Sequence, residues 1–336
     1  MKASCSSFTC KSADGKHFLG RTYDEYGDIS ANKVSIIPRG YEISLTFMGS
    51  KENNKQIVEY AIVGMNVAMF GTPFLTEGLN EHGLMISLLF FPHFTQYNSK
   101  PNAEYDVNLG LLLPFVLGKC KNIEEAVALL QKINPVDEPE SQMELPCHYL
   151  ISDKTGESVV VEPLADGLTV YRNEMGVLTN APTYEWHKIN LRNYLGISNL
   201  AKETQVVNGY KIEELGEGTG YLGIPGDYTP VSRFVRFSKN YMPEPQNEID
   251  AVSKMFNIFE TVDVPEGVIY TPPIRTPYHE KTLCTSVMCS ESLKYYFSTS
   301  TNCRICCVDL HKSMNTNSNE LINIDIPFKQ DILTLN

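Results

Sequence analysis

A cysteine close to the start of the chain, Cys5, is followed by Arg21 and Asp24. A thiol attacks an amide only as the thiolate, so it needs a base or a depressed pKa. A cysteine at a chain terminus can use its own α-amino group, whose ordinary pKa of about 7.7 to 8.0 is poised near neutrality. Arg21 would lower the thiol pKa, and Asp24 would hold the amine by a hydrogen bond. That chemistry requires Cys5 to become the first residue. Residues 1–4 are therefore expected to be a short propeptide removed on maturation, and 5–336 a single catalytic domain. By residue type alone, an Arg and an Asp near a turn also make a solvated surface pair.

Other constellations carry less. There is no phosphate-binding glycine loop, no HExxH, no GxSxG and no paired CxxC at zinc spacing. Cys303, Cys306 and Cys307 contain one CxxC in a strand-like segment without a second pair of ligands, so strand packing is expected there and no metal. Cys147 and His148 are neighbours in a strand-like run; their side chains point to opposite faces and cannot share a proton. Cys10 is a rival thiol in the first strand.

The elements that must position these residues begin with short strand-like runs at 6–9, 17–21, 33–37, 42–47, 60–66 and 84–91. Asp14-Gly15 reads as the turn of a hairpin that carries Cys5 on its first strand and ends its second at Arg21. Helices are expected over 107–118 and from Asn122, which can cap, with Ala126, Val127, Leu129 and Leu130 forming an apolar face. Strands resume at 148–152, 158–163 and 168–172, and a helix over 248–261 separates them from late strands. Strands grouped beside grouped helices predict an α+β fold, with antiparallel sheets covered by helices in layers.

Composition narrows the function classes. The 336 residues are 42% hydrophobic, enough for a sizeable core, and the net charge of −12 is scattered without any Lys/Arg stripe, which argues against nucleic acid as a partner. The apolar stretches around 57–74 and 111–117 are broken by Glu59, Asn66 and Pro114, so no bilayer span is expected. Too few residues precede Cys5 for a secretory signal, so the expected location is cytoplasmic, with nine reduced and mostly buried cysteines.

Further segments add to the Cys5 set. They are Gly20-Arg21-Thr22-Tyr23-Asp24, Gly78-Leu79-Asn80-Glu81-His82-Gly83-Leu84, Val177-Leu178-Thr179-Asn180-Ala181-Pro182, and Gly223-Ile224-Pro225-Gly226-Asp227-Tyr228-Thr229-Pro230 with Ser232-Arg233. In order and separation they resemble the choloylglycine hydrolase family of N-terminal nucleophile hydrolases, which includes bile salt hydrolases and penicillin V acylases. The resemblance implies a four-layer αββα sandwich, a homotetramer and no cofactor. It implies Cys5 as nucleophile with Arg21 and Asp24, Asn180 in the oxyanion hole and Arg233 beside the nucleophile. A second oxyanion donor is expected near Phe90, where only the backbone N–H can serve. Bile salt hydrolases typically place Asn at that position and penicillin V acylases Tyr.

Asn80 and His82 read as turn and surface residues, and Arg236 as structural. The aromatic at Phe90, the Tyr184-Glu185-Trp186-His187 segment and the Thr285-Ser286-Val287-Met288-Cys289 run look like the acylase branch. The expected substrate is therefore a small N-acyl amide of the penicillin V type, with conjugated bile salts and acyl-homoserine lactones as alternatives. A non-enzymatic alternative is an unprocessed protein that binds an apolar ligand.

Overall fold

A computed structural model describes residues 4–47, 54–67, 71–97, 103–138, 145–270, 279–314 and 319–336. Met1 to Ala3, most of the expected propeptide, lie outside the described residues.

The chain opens as a hairpin, β1 (Ser4–Lys11) and β2 (His17–Tyr26), turned at Asp14-Gly15 with Gly15 at φ 83°. β2 runs five residues beyond the expected end at Arg21, so Asp24 lies inside a strand instead of near a turn. The hairpin sits inside an antiparallel sheet ordered Val177–Leu178, β1, β2, His279–Cys289, Lys294–Thr299, Asn302–Asp309. A second antiparallel sheet is ordered Gly167–Arg172, Ser158–Leu164, Cys147–Ser152, Met85–Phe90, Leu75–Asn80, Ile62–Val67, Asn32–Ile37, Ile322–Ile324.

Two apolar cores follow from these two sheets. One joins the facing surfaces of both sheets to the helices Pro230–Ser238 and Glu248–Phe259, which cover the outer face of the first sheet. The other lies between the outer face of the second sheet and the helices Leu112–Lys119 and Ile123–Leu130. The result is the four-layer αββα arrangement.

β1 shows the period of two that produces it. Phe8 turns outward and packs its ring against Phe237 (5.0 Å) and Phe259 (4.7 Å), while Ser7 turns inward and bonds Ser87 of the second sheet at 2.8 Å. On β2 the backbone passes so close to the covering helix that a Cβ at Gly20 would lie 2.5 Å from the Phe259 ring.

Some local expectations need correction. The first expected helix begins later, as a short strand Tyr105–Asn108 paired in parallel with Ile133–Val136, because the Asn108 side chain accepts the Gly110 N–H and starts a 3-10 turn before Leu112–Lys119. The strand expected over 42–47 shortens to Glu42–Ser44. The cysteines are not uniformly buried either: Cys303 and Cys307 stand exposed on Asn302–Asp309, the outermost strand of its sheet. Asn122 caps as expected, accepting the Glu125 N–H at 3.0 Å. Among the described residues, no helix is long and apolar enough to cross a membrane.

Candidate active site

Register decides which side chains meet. Cys5 pairs directly with Tyr23 across the hairpin, and Arg21 pairs with Ser7, so Cys5, Arg21 and Tyr23 share the face that looks toward the second sheet. Cys5 is 1% exposed, and the Arg21 guanidinium donates to its sulfur at 3.0 Å. The other guanidinium nitrogen donates to Glu77 on the facing sheet at 2.6 Å, and Glu77 also accepts from the hydroxyls of Thr76 (2.7 Å) and Tyr295 (2.5 Å). Arg21 thus reaches the thiol from a socket built by both sheets.

The outer side of β1 holds a second buried arginine. Arg233 projects from the helix Pro230–Ser238, whose start is fixed by Pro230 at its first turn and by the Thr229 hydroxyl accepting the Ser232 N–H. Asp227 ties this start down through Ser232 (2.6 Å) and the Thr229 N–H (2.9 Å), and those bonds pull its carboxyl down to about 2. Arg233 donates to the Cys5 carbonyl at 2.5 Å, to the Ser6 hydroxyl, to Tyr228 O at 2.9 Å and to Asn180 Oδ1 at 2.7 Å.

Asn180 follows the short strand Val177–Leu178 that edges β1. Its Oδ1 also accepts the Cys5 N–H at 2.8 Å, and one hydrogen of its amide goes to the Phe90 carbonyl at 2.8 Å. The second amide hydrogen is left for another acceptor. His187 holds the Asn180 carbonyl at 3.0 Å and His148 holds Thr179 O at 2.7 Å, so two buried imidazoles fix this short segment from behind. Burial lowers the His187 pKa to about 4, which keeps it neutral.

Cys5, Arg21, Asn180 and Arg233 therefore converge as expected, with Phe90 contributing a carbonyl contact that the sequence did not suggest. Asp24 does not meet the Cys5 nitrogen here. It sits on the opposite face of β2 and accepts the Thr282 hydroxyl at 2.7 Å, and burial pushes its carboxyl up to about 6 against the pull of Arg233. The thiol also departs from expectation. Burial raises the Cys5 pKa, and this outweighs the lowering by Arg21 and Arg233, while the Asp24 charge adds to the rise.

Cys10 has the opposite parity on β1, and burial pushes its thiol up to about 11. Its sulfur bonds only the adjacent Lys11 carbonyl among the described residues, at 3.5 Å. Asn80 serves its turn, accepting the His82 and Leu84 N–H groups.

Beside Cys5 lies a narrow pocket whose cavity volume of about 20 Å³ is room for about one water molecule. Arg21, Tyr23 and Glu25 line it from β2, and Phe74, Leu88, Phe90 and Leu145 supply an apolar wall. Cys147 lines it too, a position beyond the strand packing expected for it. Tyr23, Glu25 and Glu77 were missed from the sequence. For Tyr23 and Glu25 the signal was present, since both follow Arg21 at strand period. Glu77 needed the register of the second sheet.

Comparison with known proteins matches this geometry. The family model for linear amide C–N hydrolases of the choloylglycine hydrolase family covers residues 5–324, beginning at Cys5. A bile salt hydrolase/transferase of Clostridium perfringens is 34% identical over 327 residues, covering 94% of this chain and 95% of its own. The crystal structure of a mutant conjugated bile acid hydrolase from the same organism superposes with a TM-score of 0.87 at 30% identity, covering 99% of this chain and 100% of its own. A penicillin V acylase of Pectobacterium atrosepticum is 26% identical over 258 residues, covering 70% and 62%. With a cysteine, two arginines and an asparagine gathered at the head of an αββα sandwich, the chain belongs to the choloylglycine hydrolase family and is an amide hydrolase of the N-terminal nucleophile fold.

Proposed function

We propose that the protein hydrolyses the amide of conjugated bile salts, with Cys5 as nucleophile after loss of residues 1–4. The observation that carries the substrate reading is the whole-length similarity to bile salt hydrolases, against partial coverage of a more distant penicillin V acylase. This reverses the order expected from the aromatic at Phe90 and from the two segments that look acylase-like. Only Phe90 lines the pocket; Tyr184 to His187 begin the helix Tyr184–Asn190, and Thr285 to Cys289 end the strand His279–Cys289 beside β2.

In the present chain Ser4 occupies β1, and the Cys5 nitrogen is a peptide N–H held by Asn180. Removal of Ser4 would convert it to an amine. The amine then takes the thiol proton, and the sulfur forms a bond to the substrate carbonyl carbon. The negative oxygen is stabilised by the free hydrogen of the Asn180 amide and by the Phe90 backbone N–H, and Arg21 steadies the thiolate. The amine returns the proton to the leaving nitrogen as the C–N bond breaks. Water, deprotonated by the same amine, cleaves the thioester and releases the acid. Asp24 and Arg233 hold the new terminus, Asp24 by turning toward the amine and Arg233 through the Cys5 carbonyl.

Assembly as a homotetramer and a cytoplasmic site of action belong to the same reading. Support for assembly comes from the segment 195–222, in which Leu195, Val206, Tyr210, Leu215 and Leu222 are each more than two-thirds exposed.

A parallel assay tests the proposal. Glycine- and taurine-conjugated bile salts should be cleaved faster than penicillin V or an acyl-homoserine lactone, Cys5→Ala should abolish turnover, and mass spectrometry should find a chain beginning at Cys5. Faster cleavage of penicillin V would overturn the substrate reading, and full activity with Met1–Ser4 retained would overturn the mechanism.

A further inference from the structure

Beyond Tyr23, β2 places one more side chain in the pocket. Glu25 is 9% exposed, and among the described residues one of its carboxylate oxygens accepts only the N–H of its neighbour Tyr26, at 3.0 Å. The other oxygen is buried and has no hydrogen-bond partner among the described residues. The charge of the unprocessed chain's N-terminal amine lowers the Glu25 pKa, and that amine is lost with residues 1–4; the side-chain cations near Glu25 are committed elsewhere. Arg21 is divided between Cys5 and Glu77, and Lys281, opposite Glu25 in register, sits 3.0 Å from Glu266. The nearby Glu280 is a second carboxylate, and burial raises the Glu25 carboxyl to about 7.

A carboxylate buried without a partner is costly, and in a lining that also holds Phe74, Leu88, Phe90 and Leu145 an apolar residue would pack without that cost. Glu25 also lies two residues along the strand from Tyr23, the position facing Cys5, which sets it roughly 7 Å from the site of attack. The missing partner is therefore a group that enters the pocket with the substrate.

Building on the amide-hydrolase reading above, we propose that Glu25 is a specificity-determining residue that binds a hydrogen-bond donor, hydroxyl or ammonium, on the apolar half of the substrate. A hydroxyl donor would come from a ring-hydroxylated steroid acid and an ammonium donor from an α-amino aryl-acyl group. An analogue lacking the donor leaves a buried acceptor without its partner, which costs roughly 10- to 100-fold.

The test uses substrate pairs with the same leaving group. One pair is a glycine conjugate of a steroid acid with more or fewer ring hydroxyls, and the other is a phenylglycyl and a phenylacetyl amide. In the mature enzyme the donor-bearing member of at least one pair should have kcat/KM higher by about 10- to 100-fold. Glu25→Leu should abolish that preference while keeping turnover of the donor-free member, and its melting temperature should rise, which also shows that it folds. Glu25→Gln, which accepts a hydrogen bond without charge, should keep part of a hydroxyl preference and lose an ammonium preference. Ratios equal within twofold across all three proteins would overturn the proposal. If no amide is turned over, the function reading fails separately. Calorimetric binding of the same acids to the parent and to Glu25→Leu then decides on Glu25, with equal affinities counting against it.

Discussion

Two buried arginines flank β1, and the chain treats their charges differently. Arg21, on the inner face, is paired with Glu77 at 2.6 Å and offers its free end to the Cys5 sulfur. Arg233, on the outer face, bonds only uncharged oxygens among the described residues: two backbone carbonyls, the Ser6 hydroxyl and Asn180 Oδ1. Burial lowers the Arg233 pKa, whereas the negative groups around Arg21 outweigh burial and raise it. The difference separates two jobs. Arg21 is a charge delivered to a sulfur, with its cost balanced by Glu77. Arg233 is a bolt whose donors join a helix, β1 and the Asn180 segment, and its charge is incidental to that geometry.

Deleting each arginine should break the molecule in different ways. Arg233→Ala removes the partner of three buried acceptors at once and leaves a void, so it should cost about 3–5 kcal/mol of stability. Arg233→Lys should recover little, because a single ammonium cannot span the fork. Thermal unfolding checks both, and a drop of under about 1 kcal/mol for Arg233→Ala would mean that the bolt is not needed.

Arg21→Leu should lower kcat/KM by about 10²- to 10³-fold, the scale of losing one charged contact to a reacting atom, and should also destabilise by leaving Glu77 buried and unpaired. Adding Glu77→Leu should restore most of the stability and none of the rate. If the double variant recovers activity, Arg21 is serving Glu77 and not the sulfur. This cycle separates charge from scaffold because the two residues lie on different sheets.

The sequence carried one side of this comparison better than the other. Arg21 was legible from the hairpin, whose turn at Asp14-Gly15 lays its strand beside the one carrying Cys5 and needs only local pattern. Arg233 and Asn180 were reached only through resemblance. Their meeting with Cys5 depends on a helix and an edge strand packing on β1 from far along the chain, and no local rule encodes that. Antiparallel sheets covered by helices in layers were readable from grouped strands and helices, the αββα order came through resemblance, and the length of β2 was not readable. Arg21, Tyr23 and Asp24 look like the polar end of a strand, and only the facing sheet and the neighbouring strand show that their positions are buried. The same missing information hid Glu77 and turned the Cys5 pKa upward, because desolvation is a property of what covers a residue.

The smallest effect sharpens the comparison through Asp24, the carboxylate nearest to acting as a counter-charge for Arg233. Its carboxyl is pushed up to about 6, and that of Asp263 to about 7 by burial and by repulsion from Asp24 and Glu260; Glu280 adds to the rise at Asp24. Both folded values lie above the ordinary aspartate value, so the stability linked to these groups is present below about pH 4 and lost as pH rises through about 6 to 7. Asp263→Asn removes one of the two repelling charges. It should match the parent near pH 4 and exceed it at pH 8 by about 1 kcal/mol, a melting-temperature gain of about 2–4 °C. It should also lower the Asp24 pKa, followed by carboxyl NMR, because Asp24 then ionises toward Arg233 with less opposition. An Asp263→Asn difference that is the same at pH 4 and pH 8 would show that the two carboxyls do not repel.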